Sequence, residues 1–332
     1  MQQRQLGRDG PQISALGIGA MSFSDFFGPV NEADSQAVLR AALDLGVNHI
    51  DTANIYGMGV SEQLIGRFLR DNPGSRDQFV IATKAGITRD DDGRRIYRND
   101  QAHLEAELDA SLARLGVDAV DLFYIHRRQA DMKIEEVTGA LATLVAKGKT
   151  RAIGFSEIAP TSLRRAMAVH PVAAVQSEYS LSTRAPELGL VQTCAELGVA
   201  LVAFSPVGRG LLTDHPPTLE RVADIPFLAG NPRFMPDALE RNIAAMAGLR
   251  RVAEEAGLSI ATLAIGWLVA QGEHVLPIPG TRSEAHFRAL VQGATQPLAA
   301  DVLDAIEAAL PLGWCHGDRY NEAQWVGPER YC

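Results

Sequence analysis

Three ionisable side chains of three different kinds each close a strongly apolar run in this 332-residue sequence: Asp51, Lys84 and His126. Burying a charge is costly unless it is paired, so these types at these places point to chemistry more than to packing. Asp51 and Lys84 could pair, and Tyr56 follows Asp51 closely in the chain. A phenol has an ordinary pKa of about 10 and is a poor acid at neutral pH. A nearby ammonium favours the phenolate and lowers that value. The expectation is a Tyr56 proton made more acidic by Lys84, with Asp51 holding the ammonium charged and in place. His126 could hydrogen-bond a substrate oxygen or assist proton transfer. Such a group protonates an oxygen on which negative charge grows, as when a carbonyl accepts a hydride. Taken singly, each residue has a plainer reading: Asp51 as a helix N-cap, Lys84 as a solvated strand-end cation, Tyr56 as a turn aromatic, His126 as a satisfied core histidine. Their joint occurrence favours the acid site.

Four such residues need a frame that brings distant segments together. Short apolar runs rich in Val, Ile and Phe cover 15–20, 47–52, 79–84, 119–126, 151–156, 172–178, 200–205 and 274–279. Continuous runs of this kind suit parallel strands buried on both faces. Between them, 33–45, 61–69, 100–115, 134–147, 161–169 and 187–197 have a helical period, several ending at a Gly such as Gly46, Gly116, Gly148 or Gly198. Asp100 and Thr161 read as N-caps. Eight strand–helix alternations without a break in composition predict one (β/α)8 TIM barrel over 1–332. A doubly wound sheet is the main alternative, but its G-x-G-x-x-G fingerprint is absent, the first turn reading Gly17-Ile-Gly19-Ala20-Met21-Ser22. Residues 4–13 read as a β-hairpin turning at Asp9-Gly10 and capping the barrel bottom. The stretch 206–236 is a long Pro- and Gly-rich loop after strand seven. Residues 237–257 and 259–271 read as helices, and 301–310 as an extra C-terminal helix. In a barrel the carboxyl ends of the strands form the active-site mouth, where Asp51, Lys84, His126, Ser156-Glu157, Gln176 and Ser205 all fall.

Composition bounds the partners. Hydrophobic residues make up 46% and charged residues 21%, as in a folded domain. Lys and Arg number 31 against 40 Asp and Glu, a formal charge of −9, which argues against nucleic acid or an anionic membrane as partner. No run approaches the ~20 apolar residues of a bilayer span, and the start lacks a signal-peptide core. Cys194, Cys315 and Cys332 are far apart and lack metal-ligand spacing. They read as reduced thiols of a cytoplasmic protein, Cys332 on a loose C-terminus. Asp90-Asp91-Asp92 reads as a solvated loop, not a metal site. A metal-dependent hydrolase would want His-x-His or convergent carboxylates, which are missing.

Several motifs carry a resemblance. Gly46-Val-Asn-His-Ile-Asp-Thr-Ala-Asn-Ile-Tyr-Gly57 with Ser61-Glu62 and Leu64-Ile65-Gly66, then Ile81-Ala-Thr-Lys84 and Asp121-Leu-Phe-Tyr-Ile-His126, resemble the aldo-keto reductase superfamily. So do Ile153-Gly-Phe-Ser156, Gln176-Ser-Glu-Tyr179, Phe204-Ser-Pro-Val-Gly-Arg-Gly210 and Pro277-Ile-Pro-Gly-Thr-Arg282. Arg184, Arg233-Phe234 and Gly317-Asp-Arg-Tyr320 are similar to a bacterial and fungal branch acting on broad aldehydes. The resemblance implies a barrel that binds NADP (NADPH) and reduces a small-molecule aldehyde or ketone. It gives Tyr56 the role of general acid, Asp51 and Lys84 that of its support, and His126 that of orienting substrate. It gives Ser156 and Gln176 the nicotinamide carboxamide, and Phe204 the stacking position. Ser205, Pro206, Val207, Gly208, Arg209 and Gly210 fall to the loop over the pyrophosphate, with Gly280, Thr281, Arg282 and Ser283 at the adenosine phosphate. Gly19, Ala20, Met21, Glu157 and His286 complete the expected cofactor set, and Arg209 and Arg282 could add bidentate phosphate contacts.

The chain departs from the family pattern in places. Glu157 stands where relatives usually have Asn, and His286, Ala289 and Leu290 replace an Arg and a Glu-Asn pair, so a preference for NADPH rests mainly on Arg282. A monomer or weak homo-oligomer is expected. The same constellation also serves an alcohol dehydrogenase working in the oxidative direction, and the fold alone would serve a non-catalytic NADPH-binding regulatory subunit.

Overall fold

The structure is a computed structural model that describes residues 1–330; Cys332 lies outside them. The hairpin at the start is present, β1 (Gln3–Gln5) pairing antiparallel with β2 (Gln12–Ser14). Next come β3 (Ile18–Gly19), β4 (His49–Asp51) and β5 (Val80–Ala85). A second hairpin, β6 (Ile87–Arg89) and β7 (Arg95–Tyr97), leaves the end of β5. The remaining strands are β8 (Val120–Ile125), β9 (Thr150–Ser156), β10 (Ala174–Glu178), β11 (Ala200–Phe204) and β12 (Val275–Pro277). β3, β4, β5 and β8–β12 form one parallel sheet in chain order. Two backbone hydrogen bonds join its first and last strands, Gly17 N–H to the Pro277 carbonyl and Gly19 N–H to the Pro279 carbonyl, both 2.9 Å. The sheet is a closed barrel, as the alternating pattern predicts.

Helices follow the strands: α1 (Glu32–Leu45), α2 (Val60–Asp71), α3 (Gln101–Leu115), α4 (Ile134–Ala146), α5 (Pro160–Met167) and α6 (Leu190–Leu197). The stretch after β11 is not bare loop. It holds α7 (Leu219–Ala223) and α8 (Pro226–Ala229) before α9 (Pro236–Ala256) and α10 (Ile260–Ala270). α11 (Glu284–Thr295) packs against α10 and α1, and the extra α12 (Ala300–Ala309) packs on α9. Asp100 caps α3 through His103 N–H at 3.0 Å. Thr161 does not cap α5: Pro160 takes the first helical position, where its missing N–H costs nothing, and Ala159 is the cap. No single described helix is long and apolar enough to cross a membrane.

Two buried apolar shells build the barrel, and a third cluster, including Leu211, Val222, Ile225 and Phe234, holds the segment after β11. The larger lies between strands and helices. The smaller fills the barrel, where Ala82, Leu122, Tyr124, Ala174, Val202 and Leu276 meet Leu6 and Ile13 of the first hairpin. That hairpin plugs one end of the barrel. Packing inside is tight enough to fix a glycine, since a Cβ on Gly154 would lie 2.5 Å from the Tyr124 ring. With the plug at one end, the strands' carboxyl ends form the other, open face. Cys194 is buried and Cys315 half-buried, both free.

Candidate active site

Asp51, Lys84 and His126 come from the carboxyl ends of β4, β5 and β8, which are adjacent in the barrel. Lys84 is 0% exposed and Asp51 1%, while Tyr56 and His126 retain 8% and 7% where they reach the mouth. The Lys84 ammonium donates to the Asp51 carboxylate, to the Thr52 carbonyl at 2.8 Å and to the Tyr56 hydroxyl at 3.4 Å. The second Asp51 oxygen accepts the Gln176 amide N–H at 2.7 Å. The Tyr56 and His126 rings meet edge to face with centroids 5.8 Å apart. Tyr56 sits in a short loop before α2, pinned below by Ser61, whose hydroxyl bonds Thr52 and the Ala20 carbonyl at 2.8 Å each. Glu62, next in that motif, is buried against Thr83 and Arg114. The four residues of the expected acid site are therefore together.

Their electrostatics differ from the sequence expectation in one respect. Burial pushes the Tyr56 phenol above its ordinary pKa, and the Lys84 ammonium offsets this only in part. The tyrosine remains protonated at neutral pH rather than poised as a phenolate. Burial pulls the Lys84 ammonium down, yet Asp51 and then Tyr56 together lift it above the ordinary lysine value. His126 titrates well below its usual range because of burial, reinforced by Arg127, Lys84 and Arg95, so its ring is neutral.

That histidine has a measurable consequence for stability. Burial also depresses His49, deep in the barrel. The unfolded chain, with ordinary histidine values of about 6.5, binds protons that these two rings refuse when folded. Stability is fully present above that pH and is lost as the pH falls toward the folded values. The urea midpoint is expected to drop from about pH 7 to about pH 5, less steeply in His126→Asn; parallel slopes for the two proteins would contradict the assignment to His126.

The acid site opens into one long cleft of about 500 Å³. Gly19, Met21, Ser156, Gln176, Phe204, Ser205, Pro206, Val207, Arg209, Gly210, Gly280, Thr281 and His286 line it with Asp51, Tyr56 and His126. At one end α11 begins, with Ser283 as cap accepting from His286 N–H at 3.3 Å. Phe26 lies edge-on to Tyr56, and Phe227 from α8 lies edge-on to Phe26 and Phe27, making an aromatic wall.

Other expected contact residues are placed differently. Glu157 does not line the cleft: in a left-handed backbone conformation (φ 60°) its carboxylate accepts from Glu178 N–H at 2.9 Å and from the Arg319 guanidinium. Ala20, Gly208, Arg282 and Ser283 do not line it either. Arg282 spends its guanidinium on the carbonyls of Phe27, Gly28 and Pro29. Arg209 reaches the cleft, but its guanidinium donates to Glu178 at 2.6 Å and to the Arg319 carbonyl at 2.8 Å, between the rings of Phe227 and Tyr320. Both guanidiniums are held by groups of the chain, Arg209 by a carboxylate and a carbonyl and Arg282 by carbonyls, while the Arg209 Nε–H is buried without a partner. Sequence reasoning missed the β6–β7 hairpin, which brings Arg95 and Tyr97 to the cleft. Its signal was the Asp92-Gly93 pair between alternating flanks. Arg127 also lines the cleft, and its side chain bonds Ser156 at 2.9 Å and Tyr320 at 3.2 Å. Tyr320 and Gln324 belong to the C-terminal tail and also line the cleft. Trp314 and Trp325 do not, donating instead to the Leu181 carbonyl and to Asp318, each at 2.8 Å.

Tyr56, Lys84, Asp51 and His126 thus meet at the open face of a parallel barrel, beside one cleft. The Aldo/keto reductase family profile matches residues 15–311. The chain is 35% identical over 318 residues to the aldo-keto reductase yakc, NADP(+), of Schizosaccharomyces pombe, covering 93% of each. It superposes on a glycerol dehydrogenase from Gluconobacter oxydans with TM-score 0.81 and 27% identity, over 93% of this chain and 94% of that one. An aldo-keto reductase from Bacillus halodurans in its holo form gives 0.75 and 26%, over 97% and 99%. The chain belongs to the aldo/keto reductase family and is an oxidoreductase of carbonyl compounds.

Proposed function

We propose that the protein uses NADPH to reduce aldehydes or ketones to alcohols, with Tyr56 as the proton donor. The observation that carries this reading is the Lys84 ammonium, wholly buried and shared between the Asp51 carboxylate and the Tyr56 hydroxyl at the wall of an open cleft. The name of the Schizosaccharomyces pombe relative supports NADP as the cofactor.

The residues present fit that group. Gln176 commits its amide N–H to Asp51, leaving the amide oxygen to accept from a carboxamide, with the Ser156 hydroxyl near by. Phe204 offers a flat ring at the cleft, and the turn 205–210 lines it beyond. Thr281 and His286 sit at the start of α11, where a helix N-terminus favours phosphate. When bound, the reduced nicotinamide supplies a hydride.

The chain's own residues do the rest. His126, neutral, has a ring nitrogen to offer the substrate oxygen. Tyr56 is a full phenol in the resting site, the form a donor needs. As charge grows on the substrate oxygen, the proton passes from Tyr56, and the phenolate left behind is stabilised by Lys84. Asp51 keeps Lys84 charged and aimed. Run backward, the same path oxidises an alcohol. The complete acid group speaks against a purely regulatory role.

Purified protein is expected to consume NADPH in the presence of aldehydes from a broad panel, and NADH more slowly. Tight NADPH binding without consumption across aldehydes, quinones, ketosteroids and sugars would overturn this reading.

A further inference from the structure

The cleft around Tyr56 carries positive charge that the chain itself does not neutralise. Arg95 reaches it from β7, and Arg127 follows His126 at the end of β8. Arg127 donates to the His126 carbonyl at 2.6 Å, the Ser156 hydroxyl at 2.9 Å and the Tyr320 hydroxyl at 3.2 Å, all uncharged acceptors. Among the described residues, neither arginine forms an ion pair, whereas the adjacent Arg128 is matched to Glu329.

The surroundings do not make up the deficit. Lys84 and Asp51 cancel. In the buried network behind Tyr320, Arg209, Arg233 and Arg319 face Glu157 and Glu178, three guanidiniums to two carboxylates. Besides Asp51, the acid lining the cleft is Asp214, on the loop after β11, where it accepts the Ile260 N–H at 3.2 Å. A half-buried guanidinium without a counter-ion is an uncommon expense in a folded protein. It is also the group best suited to a planar carboxylate. Cofactor phosphate is a poor candidate for the missing anion. β8 and the β6–β7 hairpin that leaves β5, which deliver the two arginines, stand across the barrel from β12 and the start of α11.

We propose that the carbonyl substrate brings the missing charge itself: an aldehyde or ketone bearing a carboxylate, which Arg95 and Arg127 receive while the carbonyl oxygen faces Tyr56 and His126. Arg127 is next to His126 in the chain, so the carboxylate lies within a few bonds of the carbonyl. This assignment of substrate class rests on the reductase reading above.

The test compares 4-oxobutanoate with its methyl ester, NADPH saturating. The acid is expected to have a kcat/KM roughly 10- to 100-fold above that of the ester, the range for a hydrogen-bonded charged group. In Arg95→Gln and Arg127→Gln that ratio falls toward one, through KM for the acid, and Arg127→Lys restores part of it. Arg95 is exposed, so its variant carries the test should Arg127→Gln not fold. A ratio near one in the unaltered protein overturns the proposal. So does a ratio untouched by either substitution, or a loss of NADPH affinity with the ratio preserved, which would give the arginines to the cofactor. A binding arm separates this from the reductase reading: calorimetry of butanoate against butanamide on the protein saturated with NADP(+). If no aldehyde is turned over, the reductase reading fails, and the binding preference still decides the charge: none for butanoate overturns the proposal.

Discussion

Tyr56→Phe is expected to lower kcat for carbonyl reduction by about 10²–10⁴-fold, the usual worth of a positioned proton donor, while NADPH affinity stays essentially unchanged. The substitution removes one oxygen. The ring keeps its edge contacts with Phe26 and His126 at centroid distances of 6.2 and 5.8 Å. The hydroxyl's hydrogen bond to Lys84 is long, 3.4 Å, and adds little to stability. The variant should therefore fold, bind cofactor and fail at the proton step. Stopped-flow reduction together with a fluorescence titration of NADPH separates the two effects. Near-unaltered kcat would refute the role given to Tyr56.

Lys84→Met is expected to cost both chemistry and about 3–5 kcal/mol of stability, the penalty for removing one partner of a buried ion pair. Asp51 would remain in the barrel as a carboxylate with Gln176 as its remaining side-chain donor. The pair is tied to pH as well. Lys84 is held above the ordinary lysine value, so its contribution is complete below about pH 10 and is lost as the pH rises through the folded value. At neutral pH the full loss is expected. Adding Asp51→Asn to Lys84→Met should return part of the stability, because the orphaned charge is gone, yet none of the activity. Equilibrium unfolding in urea reads both. A single variant with an unshifted midpoint would show the pair to be energetically idle.

Much of the candidate site was legible because three of its four members, Asp51, Lys84 and His126, close apolar runs, and in a parallel barrel every such run ends at the same face. The strands, most helices and the plugging hairpin were readable for the same reason: a strict period leaves few alternatives. What escaped depends on partners, not on period. Arg209 and Arg282 have the right chemistry for phosphate, but nothing in the sequence reveals that they also bond Glu178 and the carbonyls of residues 27–29. The pairing of Glu157 was hidden likewise, since its link to Arg319 spans 162 positions. The helices α7 and α8 are too short to show a period within a Pro-rich stretch. Tyr320 and Gln324 come from an irregular tail with no periodic signal at all.

The plug formed by Leu6 and Ile13 has a consequence for turnover. Beneath Lys84 the barrel is filled by Ala82, Leu122, Tyr124 and Val202, all fully buried, so no file of water leads in from behind. A Tyr56 that has given up its hydrogen ion must be replenished from the same side that admits the reactant. On the role proposed for Tyr56, resetting the enzyme would wait on the alcohol's departure, with entry, exit and reprotonation sharing a single doorway.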